Sequence, residues 1–347
     1  MTAPKIGPFV RAAMLGLAGL AFANVAALGS ASADTLKFLT WKSKSAGEAH
    51  AATLQWFADE FEKRTGGKHK IEIFWGGSVA GIRAIPEALE NGVGDLGDVV
   101  APYFQDQFFL NNIVSFHMPQ PKNERELGKK MMEWYDQYPQ FDAEMAKYNL
   151  KNIGWRPLEN YGLICTKPIA SAEDLKGLRV RTYGHALPRL FEALGATPIS
   201  MATPETYEAL QRGILDCTPI GVTLARGYRF DEVAKYFINF PLGANWGHFI
   251  SVNLDTYNNL DEDTRKILFQ LGRDYMDHFV DVLWQMTDTI KAEWKEKGIQ
   301  ELPFPTEPVA KAVQSEGVQA VRKQFVDRAT AMGLPAAEMV KFFAFEN

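Results

Sequence analysis

The chain has 347 residues, 46% hydrophobic and 23% charged, with a formal net charge of -5. This is ordinary globular composition, which excludes a collagen-like chain, a disordered tail and a small disulfide scaffold, and the length suits two domains with cores of their own. The pI of about 5.8 leaves no basic field for nucleic acid, so an anion must be met by a few local cations.

The first 33 residues read as a secretory signal. Lys5 and Arg11 are the only charged residues before Asp34, Ala12 to Leu28 is apolar, and Ala31-Ser32-Ala33 supplies small residues at the cleavage site. Cleavage is expected after Ala33, with the product periplasmic. The alternative is a retained anchor. The apolar run is at the short limit of the roughly 17–25 residues that span a bilayer, and Gly16, Gly19 and Asn24 interrupt it. No later stretch has spanning length, so the exported protein is not expected to be membrane-embedded. Cys165 and Cys217 are the only cysteines. Export permits a disulfide between them, and the sequence leaves the pairing open.

The elements then alternate. Leu36 to Trp41 reads as a strand, His50 to Thr65 as a helix stopped by Gly66-Gly67, and Ile71 to Phe74 as a second strand. The loop Trp75-Gly76-Gly77-Ser78 follows, then a short helix from Arg83 to Asn91 and a strand from Leu96 to Val100. This β-α-β-α-β order predicts a parallel sheet covered by helices, with ligands at the carboxyl ends of the strands. A second block repeats the alternation. Lys151–Trp155, Gly162–Cys165 and Leu178–Arg181 read as strands, and Ala186–Leu194 as a helix. Thr203-Pro204 is the N-cap and N1 of another helix, Ile214–Cys217 follows it, and Phe249–Asn253 reads as a strand. Asp261-Glu262-Asp263 opens a helical run to Lys297-Gly298, broken only by Gly272. About 35 residues at 1.5 Å each span roughly 50 Å, so this helix should lie across both domains. A last helix is expected from about Glu307 to Ala331.

Catalytic signatures are missing: the sequence has no G-x-G-x-x-G after a strand, no Walker A lysine, no H-E-x-x-H and no G-x-S-x-G. None of the six histidines pairs at metal spacing, so no metal and no cofactor are expected. Binding without chemistry is the leading reading. An exported α/β enzyme acting on an organic acid and a sensory ligand-binding module are the alternatives.

Several stretches carry a resemblance. Glu60 to Gly67 followed by Lys70 to Phe74, then Ala80-Gly81-Ile82-Arg83-Ala84, match one family in order. Glu173-Asp174-Leu175-Lys176-Gly177-Leu178-Arg179-Val180-Arg181 matches best, and Ala193 to Pro198, Met201, Glu205, Tyr207, Ala209-Leu210-Gln211, Gly213, Asp216 and Leu260 to Asp263 follow in register. The chain resembles the solute-binding proteins of TRAP (tripartite ATP-independent periplasmic) transporters, dicarboxylate type. The resemblance implies a two-lobed periplasmic binding protein fold with mostly parallel sheets, a cleft between the lobes and a long helix bracing both. The expected division is a leader at 1–33, lobe 1 at 34–155, lobe 2 at 156–254, and a bracing helix with C-terminal helices at 255–347. It also implies delivery of a carboxylate ligand to a small and a large membrane permease subunit, driven by sodium.

On this resemblance Arg181 is the residue that pairs with the ligand carboxylate, a task suited to a planar, permanently charged guanidinium. Arg179 is expected to be structural. Arg83 matches a family Arg at the entry to the first-lobe helix and is a second candidate. Ile220 stands where the family has a carboxylate-assisting Asn, and Pro219 where a metal-using subgroup has an acid. Thr203 replaces a family Phe, and the family's second Arg falls near Asn160 or Tyr161, with Arg156 as a possible substitute. The remaining candidate cleft residues are aromatic: Trp41, Trp75, Tyr103, Trp155, Tyr161, Tyr183 and Trp246. Aromatic walls predict a bulky or ring-bearing monocarboxylate.

Overall fold

The computed structural model describes residues 34–44, 48–119 and 123–344. The predicted leader and its cleavage point lie outside these residues. Among the described residues nine strands are present: β1 (Asp34–Leu39), β2 (His69–Phe74), β3 (Leu96–Val100), β4 (Leu150–Cys165), β5 (Arg179–Thr182), β6 (Thr197–Ser200), β7 (Cys217–Ile220), β8 (Tyr236–Asn253) and β9 (Gln300–Pro303). They form one continuous sheet in the order β2-β1-β3-β8-β4-β7-β5-β6, with β9 beside β8.

The two ends of the sheet are the two lobes. β1 runs parallel to β2 and β3, and β5 parallel to β6 and β7. Between them β8 and β4 pair antiparallel with each other, and antiparallel with β3 and β7 respectively. Parallel pairing therefore holds within each lobe, and the centre is antiparallel because two long strands pass between lobes in opposite directions. The two short strands expected at 151–155 and 162–165 are one 16-residue strand, and the strand expected at 249–253 is the end of an 18-residue one. Pro157 and Gly162 sit among register shifts at residues 152–163, where bulges absorb a missing N–H or a missing side chain. At Gly162 a Cβ would meet the Ile238 carbonyl oxygen at 2.3 Å, so glycine lets β8 approach.

The brace helix spans Glu262–Glu296, capped by the Asp261 side chain on the Thr264 N–H at 3.0 Å. Gly298, at φ 73°, closes it in the left-handed region that suits glycine. It packs on β4, on the first-lobe helix Ala49–Arg64 and on the helix Val222–Gly227. Arg64 pairs with Asp274 near its start, and Arg226 Nη2 reaches Glu293 at 3.0 Å near its end. Gly272 lies where helix meets strand: a Cβ there would come within 1.4 Å of the Ile153 carbonyl oxygen. The apparent helix breaker is a contact point.

Two local expectations change. The helix expected over 307–331 is two, Thr306–Val313 and Glu316–Ala331, with Ser315 as the second N-cap. Thr203 does not cap a helix. It is the first residue of the 3-10 turn Thr203–Glu205, with Ala202 at the cap position, and its hydroxyl is used elsewhere. Cys165 and Cys217 are opposite each other on β4 and β7 and are joined by a disulfide.

Candidate ligand-binding site

A narrow, nearly filled cavity lies where the lobes meet. Trp41, Val100, Pro102 and Tyr103 come from the carboxyl ends of β1 and β3, and Arg181, Tyr183 and Thr203 from the second lobe. Leu158, Tyr161, Asn245 and His248 are supplied by β4 and β8, and Leu224 and Tyr228 by the helix Val222–Gly227 and its C-cap. This is where an α/β sheet is expected to place a ligand.

Arg181 is the centre of the site. On β5, Val180 turns into the lobe core while Arg179 and Arg181 share the other face. Arg181 is only 2% exposed. Its Nε donates to the Met201 carbonyl at 3.0 Å, and its Nη2 donates to the Tyr103 hydroxyl at 3.1 Å and the Thr203 hydroxyl at 2.9 Å. The guanidinium lies 4.9 Å from the Tyr183 ring centroid. All these partners are neutral, and no carboxylate among the described residues lies within ion-pair distance of it. Arg179, by contrast, makes a two-pronged pair with Asp216 at 2.9 and 3.1 Å, which is the structural role expected of it.

The rest of the wall is uncharged, with aromatic rings interspersed among aliphatic and neutral polar side chains. Trp41 and Tyr228 stack with centroids 6.1 Å apart and planes 13° apart. The buried Lys42 lies 4.5 and 4.6 Å from those two rings and pairs with Glu48. Burial raises the pKa of Tyr161, Tyr183 and Tyr228, so their hydroxyls stay protonated.

Behind Leu158, Leu224 and His248, which line both spaces, is a smaller inner chamber that also contains Lys42, His50, Arg156, Glu159 and Thr223. Arg156 donates to His50 Nε2 at 3.1 Å and His248 Nδ1 at 3.0 Å, and it lies 3.6 Å from Asp98. Asp98 accepts from the Thr40 hydroxyl at 2.5 Å and faces His50 Nε2 at 2.9 Å. Burial nonetheless lifts its carboxyl to about 7. Glu159 caps the helix Val222–Gly227, accepting from the Thr223 and Leu224 N–H groups at 2.9 Å each. A Cβ on Gly221 would lie 1.7 Å from the Glu159 side chain, so the cap needs glycine there.

Five of the nine residues singled out in the sequence therefore come together: Trp41, Tyr103, Tyr161, Arg181 and Tyr183. Arg83 is exposed, stacked 4.8 Å behind the Tyr103 ring and outside the cavity wall. Trp155 is buried edge-on to Tyr135 and Phe269, and Trp246 is buried edge-on to Phe249. Ile220 is buried at the end of β7. Trp75, also weighed, packs on the first-lobe core. Sequence reasoning missed Tyr228, Asn245 and His248. Pro241, Gly243 and Gly247 broke the alternation that would have extended β8 back to Asn245 and His248. Among the described residues no group of three or more His, Cys, Asp or Glu could hold a metal ion, and no helix is long and apolar enough to cross a membrane.

The family model of the bacterial extracellular solute-binding proteins, family 7, matches residues 42–328. The chain belongs to this family. The resemblance read from the central motif is thus borne out over most of the chain. Among curated relatives, a solute-binding protein of Albidiferax ferrireducens is 24% identical over 62% of this chain and 64% of its own. The sialic acid-binding periplasmic protein SiaP of Vibrio cholerae is 22% identical over 81% of this chain and 87% of its own. The first three curated relatives are matched over only 64%, 56% and 41% of their lengths. Among solved structures, a marine metagenome TRAP solute-binding protein with co-purified pyroglutamate superposes with a TM-score of 0.75 at 15% identity, over 90% of this chain and 99% of that one. A Desulfovibrio salexigens TRAP protein with bound orotic acid gives 0.75 at 21% identity, over 89% and 97%. A Sulfitobacter protein with bound β-D-galacturonate gives 0.72 at 17%, over 89% and 99%. At these identities the likeness is one of fold, and it carries the two-lobed α/β architecture.

Proposed function

We propose that the chain is the extracytoplasmic receptor of a sodium-driven TRAP transporter, capturing an organic acid and delivering it to a membrane permease pair. The carrying observation is Arg181, a cation buried at the lobe boundary with only neutral partners. A buried charge without a counter-charge is costly, and a ligand carboxylate supplies one, meeting the Nη1 donors that the neutral contacts leave free. The three fixed neutral contacts hold the guanidinium ready. A single such clamp inside aromatic walls favours a ring-bearing monocarboxylate over a small dicarboxylate. The acids bound by the structural neighbours are of that kind: pyroglutamate, orotate and a uronate. Export with cleavage after Ala33 places the receptor in the periplasm, and closure of the lobes on the ligand requires no covalent step.

A thermal-shift screen with ring-bearing monocarboxylates, dicarboxylates and sugar acids tests this, with Arg181→Ala as control. An acid present at about 100 times its Kd stabilises by roughly 2.7 kcal/mol. The expected result is a raised Tm with a ring-bearing acid that disappears in Arg181→Ala. Stabilisation by short dicarboxylates alone overturns the monocarboxylate assignment, and an equal shift in the variant overturns the clamp.

A further inference from the structure

Besides Arg181, the cavity wall carries three donors that the chain itself does not use. Trp41, Tyr228 and His248 line the cavity from three separate segments. The Trp41 Nε1 and the Tyr228 hydroxyl are buried and have no hydrogen-bond partner. Nearly all buried donors in folded proteins are paired, so two orphans on one cavity wall call for a partner from outside the chain.

His248 is set up to be the third. Its Nδ1 lies 3.0 Å from Arg156 Nη2. A guanidinium has only donors, so Nδ1 accepts, and in the neutral ring the proton sits on Nε2. Burial, aided by Arg156, Lys42 and Arg181, holds the ring neutral. No hydrogen bond joins Nε2 to a described residue beside the Nδ1 contact. The side chain stands between the cavity and the inner chamber.

The geometry points to a second recognition element, in which Trp41 Nε1, the Tyr228 hydroxyl and His248 Nε2 donate to acceptor oxygens of the cargo other than its carboxylate. The receptor then selects acids carrying a ring carbonyl, or a comparable acceptor, over acids of the same ring that lack one. This rests on the reading of Arg181 as the carboxylate clamp. A neutral donor set discriminates in this way because an acid without the acceptor still strips water from these donors and leaves them unpaired.

The test is isothermal titration calorimetry with two matched pairs: cyclopentanecarboxylate against 3-oxocyclopentanecarboxylate, and cyclohexanecarboxylate against 3-oxocyclohexanecarboxylate. The proteins are the wild type, Tyr228→Phe, His248→Phe, His248→Gln and Arg181→Ala, each checked for folding by circular dichroism and Tm. In at least one pair the wild type should bind the oxo acid about tenfold more tightly. Tyr228→Phe and His248→Phe should cut that preference to threefold or less. His248→Gln, which keeps an N–H near the same place, should retain more of it. Equal wild-type affinity for both members of each pair, with binding lost in Arg181→Ala, overturns the donor set and leaves the clamp standing. So does an undiminished preference in well-folded Tyr228→Phe and His248→Phe. No binding of any of the four acids to the wild type counts against the carboxylate reading and this inference together.

Discussion

Arg179 and Arg181 are two positions apart on one strand, and they differ in what faces them. Asp216 takes Arg179, which remains 43% exposed in its side chain, while Arg181 is sealed in with hydroxyls and a carbonyl. The same contrast governs the acids. Asp216 is held below the usual carboxylate range; burial raises it, but the paired Arg179 outweighs that. At Asp98 burial wins over Thr40 and Lys42 and lifts the carboxyl to about 7 from 3.8. A raised carboxyl pKa means that the native state holds a proton which the unfolded chain has released. The resulting stability is full below about pH 4 and is lost as pH climbs through 7. His50, Lys42 and Arg156 face the same carboxyl. Calorimetry from pH 5 to 8 should therefore show the Tm of the wild type falling more steeply than that of Asp98→Asn. One proton contributes a slope of up to about 1.4 kcal/mol per pH unit. Parallel curves for the two proteins would show that Asp98 is ionised throughout.

At the scale of elements, two joints hold the lobes to their frame. The first is the crossing of the brace helix over β4 at Gly272. Alanine is a better helix former than glycine by about 1 kcal/mol, which alone would make Gly272→Ala stabilising. The added methyl, however, would collide with backbone at 1.4 Å from the Ile153 carbonyl oxygen, and backbone yields less than a side chain tip. Overpacking costs typically 1–3 kcal/mol and sometimes more. The variant should unfold at lower denaturant, by about 2 kcal/mol net or more, and a stabilised variant would refute the contact. The second joint is Cys165–Cys217, buried between β4 and β7 across a separation of 52 residues. Closing such a loop contributes about 3–4 kcal/mol. Reductant should lower the Tm of the wild type and leave that of a Cys165→Ala/Cys217→Ala double variant unchanged.

At the scale of the whole molecule, the lobes meet through one side chain in particular. The Tyr103 hydroxyl, from the first lobe, accepts from Arg181 Nη2 and from the Thr203 N–H, and lies 3.0 Å from the Thr203 hydroxyl. Pro102 in the turn Ala101–Tyr103, and Asn112 donating to the Ala101 carbonyl at 2.7 Å, hold this tyrosine in place. With β4, β8 and the brace helix continuous between lobes, lobe closure of the proposed kind would have these contacts as its latch. Tyr103→Phe removes the hydroxyl alone. Small-angle scattering should then show a larger radius of gyration without ligand. Affinity for a stabilising acid should fall about tenfold, the scale of one hydrogen bond to a charged group. An unchanged scattering profile would mean that the latch does not govern closure.

The strands β1 to β3, the helix Ala49–Arg64, the brace helix and its Asp261 cap were legible in the sequence, because each depends on local periodicity, a capping side chain or a glycine stop. Arg181 was legible too, through a motif whose residues stand in register. The partners of these elements were not legible. Pro157 and Gly162 signal a break locally, and only β8 alongside turns them into bulges within one long strand. Thr203 looks like a helix cap until Arg181 and Tyr103 arrive to bind its hydroxyl. Trp155, Trp246 and Ile220 share the aromatic or apolar character of the cavity residues, and their neighbours in space bury them elsewhere. Tyr228 and His248 belong to the cavity only because a capped helix and an 18-residue strand deliver them there. Composition and spacing set which elements form, since those follow from nearest neighbours along the chain, and Arg181 was singled out by the resemblance of its motif to a family. Which side chains face the cavity, which donors remain unpaired and which cysteines meet are decided by contacts between residues far apart in sequence, and those exist only once the sheet is assembled.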